Sequence, residues 1–174
     1  MEQGDTLHTW LDEAAAARER LAPAGVATRA QLSERSGLEF LGGITAGDLP
    51  PAPIAELMGI VPVSVESGRV VFQGTPTRAH YNPSGAVHGG YAATMLDSAL
   101  GCAIHTMLPA GKGYTTLELK INYIRGMTDQ TGPVRAEGKI VSVGGQVAVA
   151  EARITDANGK LYAFATTTCL VFAI

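Results

Sequence analysis

Between Gly89 and Met107 the chain carries almost no charge, and from Tyr114 onward it alternates apolar and polar residues. This change of period constrains the fold more than any other feature. Ala92, Leu96, Ala99, Leu100, Ala103 and Met107 recur at spacings of three and four, the helical repeat. A polar face is nearly absent, so the helix is expected to be buried almost all round. Pro109 and Gly111 end it. After it, Leu117, Leu119, Ile121 and Tyr123 fall on one face of a strand, and Glu118, Lys120 and Asn122 on the other. Val134 to Val143, Gln146 to Thr155 and Lys160 to Phe172 read as three more strands. Gly144-Gly145 fits a two-residue hairpin with positive φ, and Asp156 to Gly159 a second turn. Two shorter strands, Val61 to Glu66 and Arg69 to Gly74, flank Ser67-Gly68. The expected class is α+β, with an antiparallel meander of the four long strands curved around one helix.

The chain ahead of these strands is helical. Leu7 to Leu21 has helix-forming composition, with Pro23 beyond it. Gln31 to Thr45 repeats the pattern, with Leu38, Leu41 and Ile44 on one face and Ser33 as its cap. Asp48 to Pro53 is too proline-rich for helix interior and reads as a rigid linker. Ile54 to Met58 reads as a short helix. The division is therefore a helical arm with its linker over residues 1–50 and a main domain over 51–174.

With 174 residues the chain is long enough for one domain with a real core. Only 17% of residues are charged while 46% are hydrophobic, so part of the apolar surface is expected in a subunit interface. Net charge is −3 with no basic cluster, which argues against nucleic acid as a partner. Residues 1–50 hold eight acidic side chains against four basic ones, the wrong sign for an arm that binds phosphates. Asp97 and His105 interrupt the best apolar run before it reaches the ~18–20 residues of a membrane span. Met1 to Asp12 is polar and lacks a signal-peptide core. Cys102 and Cys169 read as buried free thiols in a reducing compartment, and the expected location is cytoplasmic. His8, His80 and His105 have no ligand spacing with Cys or carboxylates, so no metal is expected.

Chemistry concentrates in Asn82-Pro83-Ser84-Gly85-Ala86-Val87-His88-Gly89-Gly90, followed by Asp97. Asp97 is the one carboxylate of the apolar helix. Either Thr94 or a neighbouring strand satisfies it, or desolvation makes it a base. Gly89 and Gly90 open the helix, where N–H groups lack internal partners and attract an oxyanion; alternatively they only allow a close turn. His88 is a cap or a substrate-orienting group. Asn82 is a turn opener or holds a water or a carbonyl. Gly89 and Asp97 lie eight residues apart, about 12 Å of helical rise. They cannot both reach one small carbonyl from the same chain, but a dimer can bring Gly89 of one chain beside Asp97 of another. Thr115 and Thr116 start a strand and can offer a hydroxyl. Lys120 and Arg125 lie at its polar side or end. Gly85 to Gly90 lacks the Lys and Ser/Thr of a phosphate loop, and no Gly-x-Ser-x-Gly elbow occurs.

Taken together, Asn82-Pro83-x-Gly85-x-x-His88-Gly89-Gly90, then Asp97, then Gly113 to Tyr123 resembles the hotdog-fold acyl-CoA thioesterases of the PaaI-like (phenylacetic acid degradation) branch. The resemblance covers about Ser36 to Phe172 and leaves out Met1 to Arg35, which is expected to pack on its own oligomer. It implies a hotdog fold and hydrolysis of an aromatic or medium-chain acyl-CoA. Asp97 matches the catalytic carboxylate and Gly89 the N–H donor to the thioester carbonyl. Asn82 and His88 match the positioning pair, and Thr115 a hydroxyl residue contributed by the opposite subunit. Substrate contacts are expected from Gly90, Tyr91 and Thr116, with Lys120 and Arg125 toward the phosphates of coenzyme A. Tyr91, Met58, Tyr123 and Phe72 are candidates for the acyl pocket. No cofactor is implied, coenzyme A entering as part of the substrate. The site requires a homodimer, and a homotetramer is expected. A hydratase or dehydratase of the same fold, and a non-catalytic acyl-CoA-binding protein, are the alternative readings.

Overall fold

The computed structural model describes residues 3–174. Among these residues five α-helices, α1 Gln3–Arg20, α2 Arg29–Ser33, α3 Gly37–Ala46, α4 Pro53–Leu57 and α5 Gly89–His105, and a 3-10 turn at Arg78–His80 accompany six strands. The strands are β1 Ile60–Glu66, β2 Arg69–Gly74, β3 Lys112–Tyr123, β4 Val134–Val143, β5 Val147–Asp156 and β6 Leu161–Ala173. They form one antiparallel sheet in the order β1-β2-β4-β5-β6-β3, with α5 lying on it as the hotdog fold requires. The meander expectation holds for β4, β5 and β6 alone. β3 does not pair with β4, its successor in sequence; it crosses to the far edge and pairs with β6, Thr115 opposite Leu170 and Ile121 opposite Ala165.

Side-chain size explains how the helix sits. Positions of the sheet facing α5 are small: Ala136 and Gly138 on β4, Ala148, Ala150 and Ala152 on β5, Ala163 and Ala165 on β6, all buried. The helix supplies the bulk with Met95, Leu96, Leu100 and Ile104, each wholly buried. At Gly138 the approach is closest. A Cβ there would stand 2.3 Å from the carbonyl oxygen of Ala99, so only glycine lets α5 lie this close to β4.

The helix is not buried all round. Thr94, Asp97, Ser98 and Cys102 form a stripe that the single chain leaves open or half-open. The helical arm also differs in detail from its expectation. Thr28 and Ser36 are the caps, each in a capping box with Gln31 and Glu39 respectively, and Ser33 ends α2. The buried face of α3 is Gly37, Phe40 and Leu41, with Leu38 exposed. α1 packs on the outer face of its own sheet, Ala14 and Ala17 against Val61, and the Gln73 side chain donates to the Trp10 carbonyl at 3.0 Å. Arg135 lies 4.3 Å from the Trp10 ring and pairs with Glu13. α3 is tied to the end of α5, where Gly37 N–H donates to Leu108 O at 2.9 Å. The β4–β5 connection spans Gly144 to Gln146, and neither of its glycines takes positive φ. A bulge between Thr116 and Glu118 breaks the alternation of β3, leaving Leu117 60% exposed.

Candidate active site

The turn before α5 is built from its own backbone. Asn82 N–H donates to Ala86 O at 2.8 Å, while Asn82 Oδ1 accepts from the N–H groups of Ser84 and Ala86 at 3.0 and 3.2 Å. Its carbonyl oxygen is therefore engaged in the turn, and its amide nitrogen is the group left for a ligand. Gly85 makes the turn at φ +84°. His88 N–H donates to His80 O at 2.7 Å, placing His88 at the N-cap, and its Nδ1 accepts from Gly90 N–H at 2.8 Å. A Cβ on Gly90 would come within 2.9 Å of that Nδ1. Because Nδ1 accepts, the neutral ring carries its proton on Nε2.

Gly89 is the first residue of α5, and its N–H has no acceptor among the described residues. Its carbonyl accepts from Tyr123 Oη at 3.1 Å. A cavity of about 330 Å³ opens beside it, bounded by Asn82, His88, Gly89, Tyr123 and Arg125. The helix N-terminus gives this cavity positive character. The exposed Arg125, whose Nη1 donates to Leu161 O at 3.1 Å, adds a full charge.

Asp97 opens on a different cavity. It is exposed in the single chain, and Thr116 Oγ1 donates to its Oδ1 at 3.0 Å. The cavity, about 250 Å³, is otherwise apolar except for Ser98 and Tyr114 near the carboxylate. Tyr114 lies across Gly101, where a Cβ would be 2.5 Å from its hydroxyl oxygen, and its ring centroid is 5.5 Å from that of His105. Burial raises the Tyr114 hydroxyl well above its ordinary value, and the Asp97 charge adds to this. Burial, then the Asp97 charge, pushes the Cys102 thiol up to about 12. Both stay protonated at neutral pH, so neither is a nucleophile, and Asp97 is the carboxylate available for acid–base work.

The predicted site residues thus separate into two groups. Asn82, His88, Gly89 and Arg125 share one cavity, with Gly90 behind it holding the cap. Asp97 and Thr116 share the other. Thr115 is the neighbour of Thr116 along β3, so its side chain takes the opposite face, and it makes no hydrogen bond to Asp97. Lys120 is exposed opposite Thr166 and borders neither cavity. Tyr91 is 2% exposed, a core residue stacked on His80 at 4.3 Å, and its hydroxyl has no partner among the described residues. Of the acyl-pocket candidates, Phe72 borders the Asp97 cavity, Tyr123 the Gly89 cavity, and Met58 a shallow depression beside His80 and His88. Sequence reasoning missed Tyr114 and Cys102, and it missed the contribution of α3 and α4 to the Asp97 cavity. Only the glycine at position 101, one helical turn from Asp97, hinted that an aromatic ring crosses there.

Residues 84–163 match the family model of the thioesterase superfamily. A Saccharolobus solfataricus protein named as an esterase is 34% identical over 109 residues, which cover 62% of this chain and 75% of the relative. The 1,4-dihydroxy-2-naphthoyl-CoA hydrolase of Listeria monocytogenes is 29% identical, over 68% of this chain and 94% of the relative. Among solved structures, a conserved Pseudomonas aeruginosa protein superposes with a TM-score of 0.65 at 30% identity, covering 70% of this chain and 94% of that one. A variant of the phenylacetic acid degradation protein PaaI from Thermus thermophilus gives 0.62 at 26% identity, covering 68% and 97%. With the HGG turn at the head of the buried helix and a carboxylate two turns into it, the chain belongs to the thioesterase superfamily, as a hydrolase with the hotdog fold and PaaI-like neighbours.

Proposed function

We propose that the protein hydrolyses the thioester of an aromatic or medium-chain acyl-CoA, at two sites each assembled from both subunits of a homodimer. The observation that carries this reading is the separation of Gly89 and Asp97 into two cavities of one chain. The thioester carbonyl accepts a hydrogen bond from Gly89 N–H at the positive end of α5. His88 Nε2–H and the Asn82 amide are the further donors beside it. Asp97 of the facing subunit, oriented by Thr116, either takes a proton from the attacking water or attacks the carbonyl carbon itself. The carbon–sulfur bond then breaks and coenzyme A leaves as a thiolate that takes up a proton from solvent, so no strong general acid is needed; on the second route water then cleaves the acyl–Asp97 anhydride to free acid and restored carboxylate.

β3 supports the dimer, since it pairs with β6 on one side only and leaves Leu117 and Tyr123 exposed, with Ile124 exposed just beyond its end. Assembly as a homotetramer is part of the proposal. Arg125 lies where coenzyme A phosphates would approach the Gly89 cavity, with Lys120 farther along the strand. The two free thiols fit a cytoplasmic enzyme, and no helix among the described residues is long and apolar enough to cross a membrane. The test is a panel of acyl-CoAs assayed with Asp97→Asn. Turnover should fall by about 10²–10⁴-fold with the fold intact. Turnover near that of the unaltered protein would defeat the assignment.

A further inference from the structure

The Asp97 cavity has two walls of different origin. One comes from the parts that make the fold itself: Phe72 and its strand neighbours, with Cys102 of α5. The other comes from the arm side: Leu41 and Ile44 of α3, Pro51 and Ala52 of the linker, and Ile54 in the first turn of α4. This second wall, like the strand that carries Phe72, lies ahead of residues 84–163, the span shared with the family model, and unlike that strand it is no part of the sheet. It is held firmly in place. The Gly37 N–H bond to Leu108 O and the contact of Phe40 with His105, centroids 5.5 Å apart, fix α3 to the end of α5. Leu49 and Pro51 are buried, which fixes the linker.

We infer that the α3–linker–α4 wall determines which acyl groups this enzyme accepts, admitting about one aromatic ring or a straight chain of about six to eight carbons. The inference rests on the thioesterase reading of Asp97. An engineered apolar cavity of about 150 Å³ takes one benzene, so the cavity of about 250 Å³ takes a ring with a short tether. Apolar lining with polar groups only near the carboxylate favours an acyl group whose far end is hydrocarbon. Ile44 and Ile54 are the residues whose truncation enlarges the space from the arm side. Ala52 is the residue whose enlargement fills it; as the N-cap of α4 it makes no side-chain hydrogen bond, so Leu there disturbs no cap.

The test runs two series on the full-length protein. The first is kcat/KM for straight-chain acyl-CoAs from acetyl to dodecanoyl, with phenylacetyl-CoA. The second is thermal protection by the corresponding free carboxylic acids, which reports the cavity without any reaction. In the unaltered protein kcat/KM should rise about fourfold per added methylene and then break off near six to eight carbons. Ile44→Ala and Ile54→Ala should move the break upward by about two carbons or more, in both series. Ala52→Leu should lower hexanoyl relative to acetyl at least about tenfold. A break in the same place in all variants would overturn the inference, as would an equal loss at every chain length. If the unaltered protein hydrolysed none of the acyl-CoAs, the thioesterase reading would fail, while the free-acid series would still decide whether this wall sets the size of the cavity.

Discussion

Two individually inactive variants should restore each other's activity when they share a dimer. Gly89→Pro removes the backbone N–H that faces the carbonyl in the proposed site, leaving the side-chain donors of His88 and Asn82 in place. Proline is well suited to the first position of a helix. His88 ahead of it already has the extended backbone that a residue before proline needs, at φ −60° and ψ 137°. The added Cβ would meet the Tyr123 ring at 3.2 Å, and Tyr123 is 55% exposed and can give way. Loss of one such donor costs about 10²–10³-fold in kcat, and Asp97→Asn at least as much. Unfolded together in equal amounts and refolded, the two chains give about half mixed dimers. In each mixed dimer one site combines the intact Gly89 of one chain with the intact Asp97 of the other, while the second site is doubly damaged. Activity should recover to about one quarter of the unaltered protein, at least about 25-fold above either parent. Release of free coenzyme A thiol measures it. The protein's own Cys102 and Cys169 should add little background, since burial raises both thiols. Activity that stays at the mean of the two parents, with mixed dimers verified by mass, would refute a site shared between subunits.

Thr116→Val removes the one hydroxyl among the described residues that donates to Asp97 Oδ1. If that bond holds Asp97 in place for the reaction, losing it should lower kcat by about 10–100-fold with KM barely moved, since a hydrogen bond to a charged group is worth about 1.5–3 kcal/mol; Thr116→Ser should keep most of the activity. Stability should depend on pH through His105. Packed between Phe40 and Tyr114, it is held by burial below the ordinary value of 6.5. The folded chain keeps it neutral while the unfolded chain protonates it. Its contribution is therefore complete above about pH 6.5 and is lost as the pH falls from there toward the lowered folded value. Denaturant titrations from pH 7.5 to 5 should show this decline, and His105→Gln should flatten it.

Local pattern made some of the molecule legible and left long-range pairing dark. The strands Arg69 to Gly74 and Val134 to Val143 and the start of the helix at Gly89 could be read because period and breakers lie within a few residues of one another. The place of β3 could not, because alternation of Leu119 and Ile121 says which face is buried and nothing about which strand stands beside it. Ser33 looked like a cap only because the break between α2 and α3 was not recognised. Two capping boxes, Thr28 with Gln31 and Ser36 with Glu39, were present in the sequence as its signal. For the site, the residues of the HGG turn are contiguous and so were visible. Pairing of Thr116 with Asp97 depends on where a strand crosses a helix, and the arm's part in the cavity depends on contacts across more than forty positions, from Ile54 to Asp97.

The free edge of β3 has a consequence for the chain before it meets a partner. Along twelve residues, Lys112–Tyr123, a newly made subunit presents unpaired backbone groups to whatever strand arrives first. Another copy of itself in the correct alignment is one such visitor, and a stray strand from a half-folded neighbour is another. Lys112, Glu118 and Lys120 put charges of both signs along that edge, and the bulge after Thr116 bends it. A foreign strand must bury those charges without matching them. The edge that invites pairing therefore also resists a strand that would leave those charges unmatched.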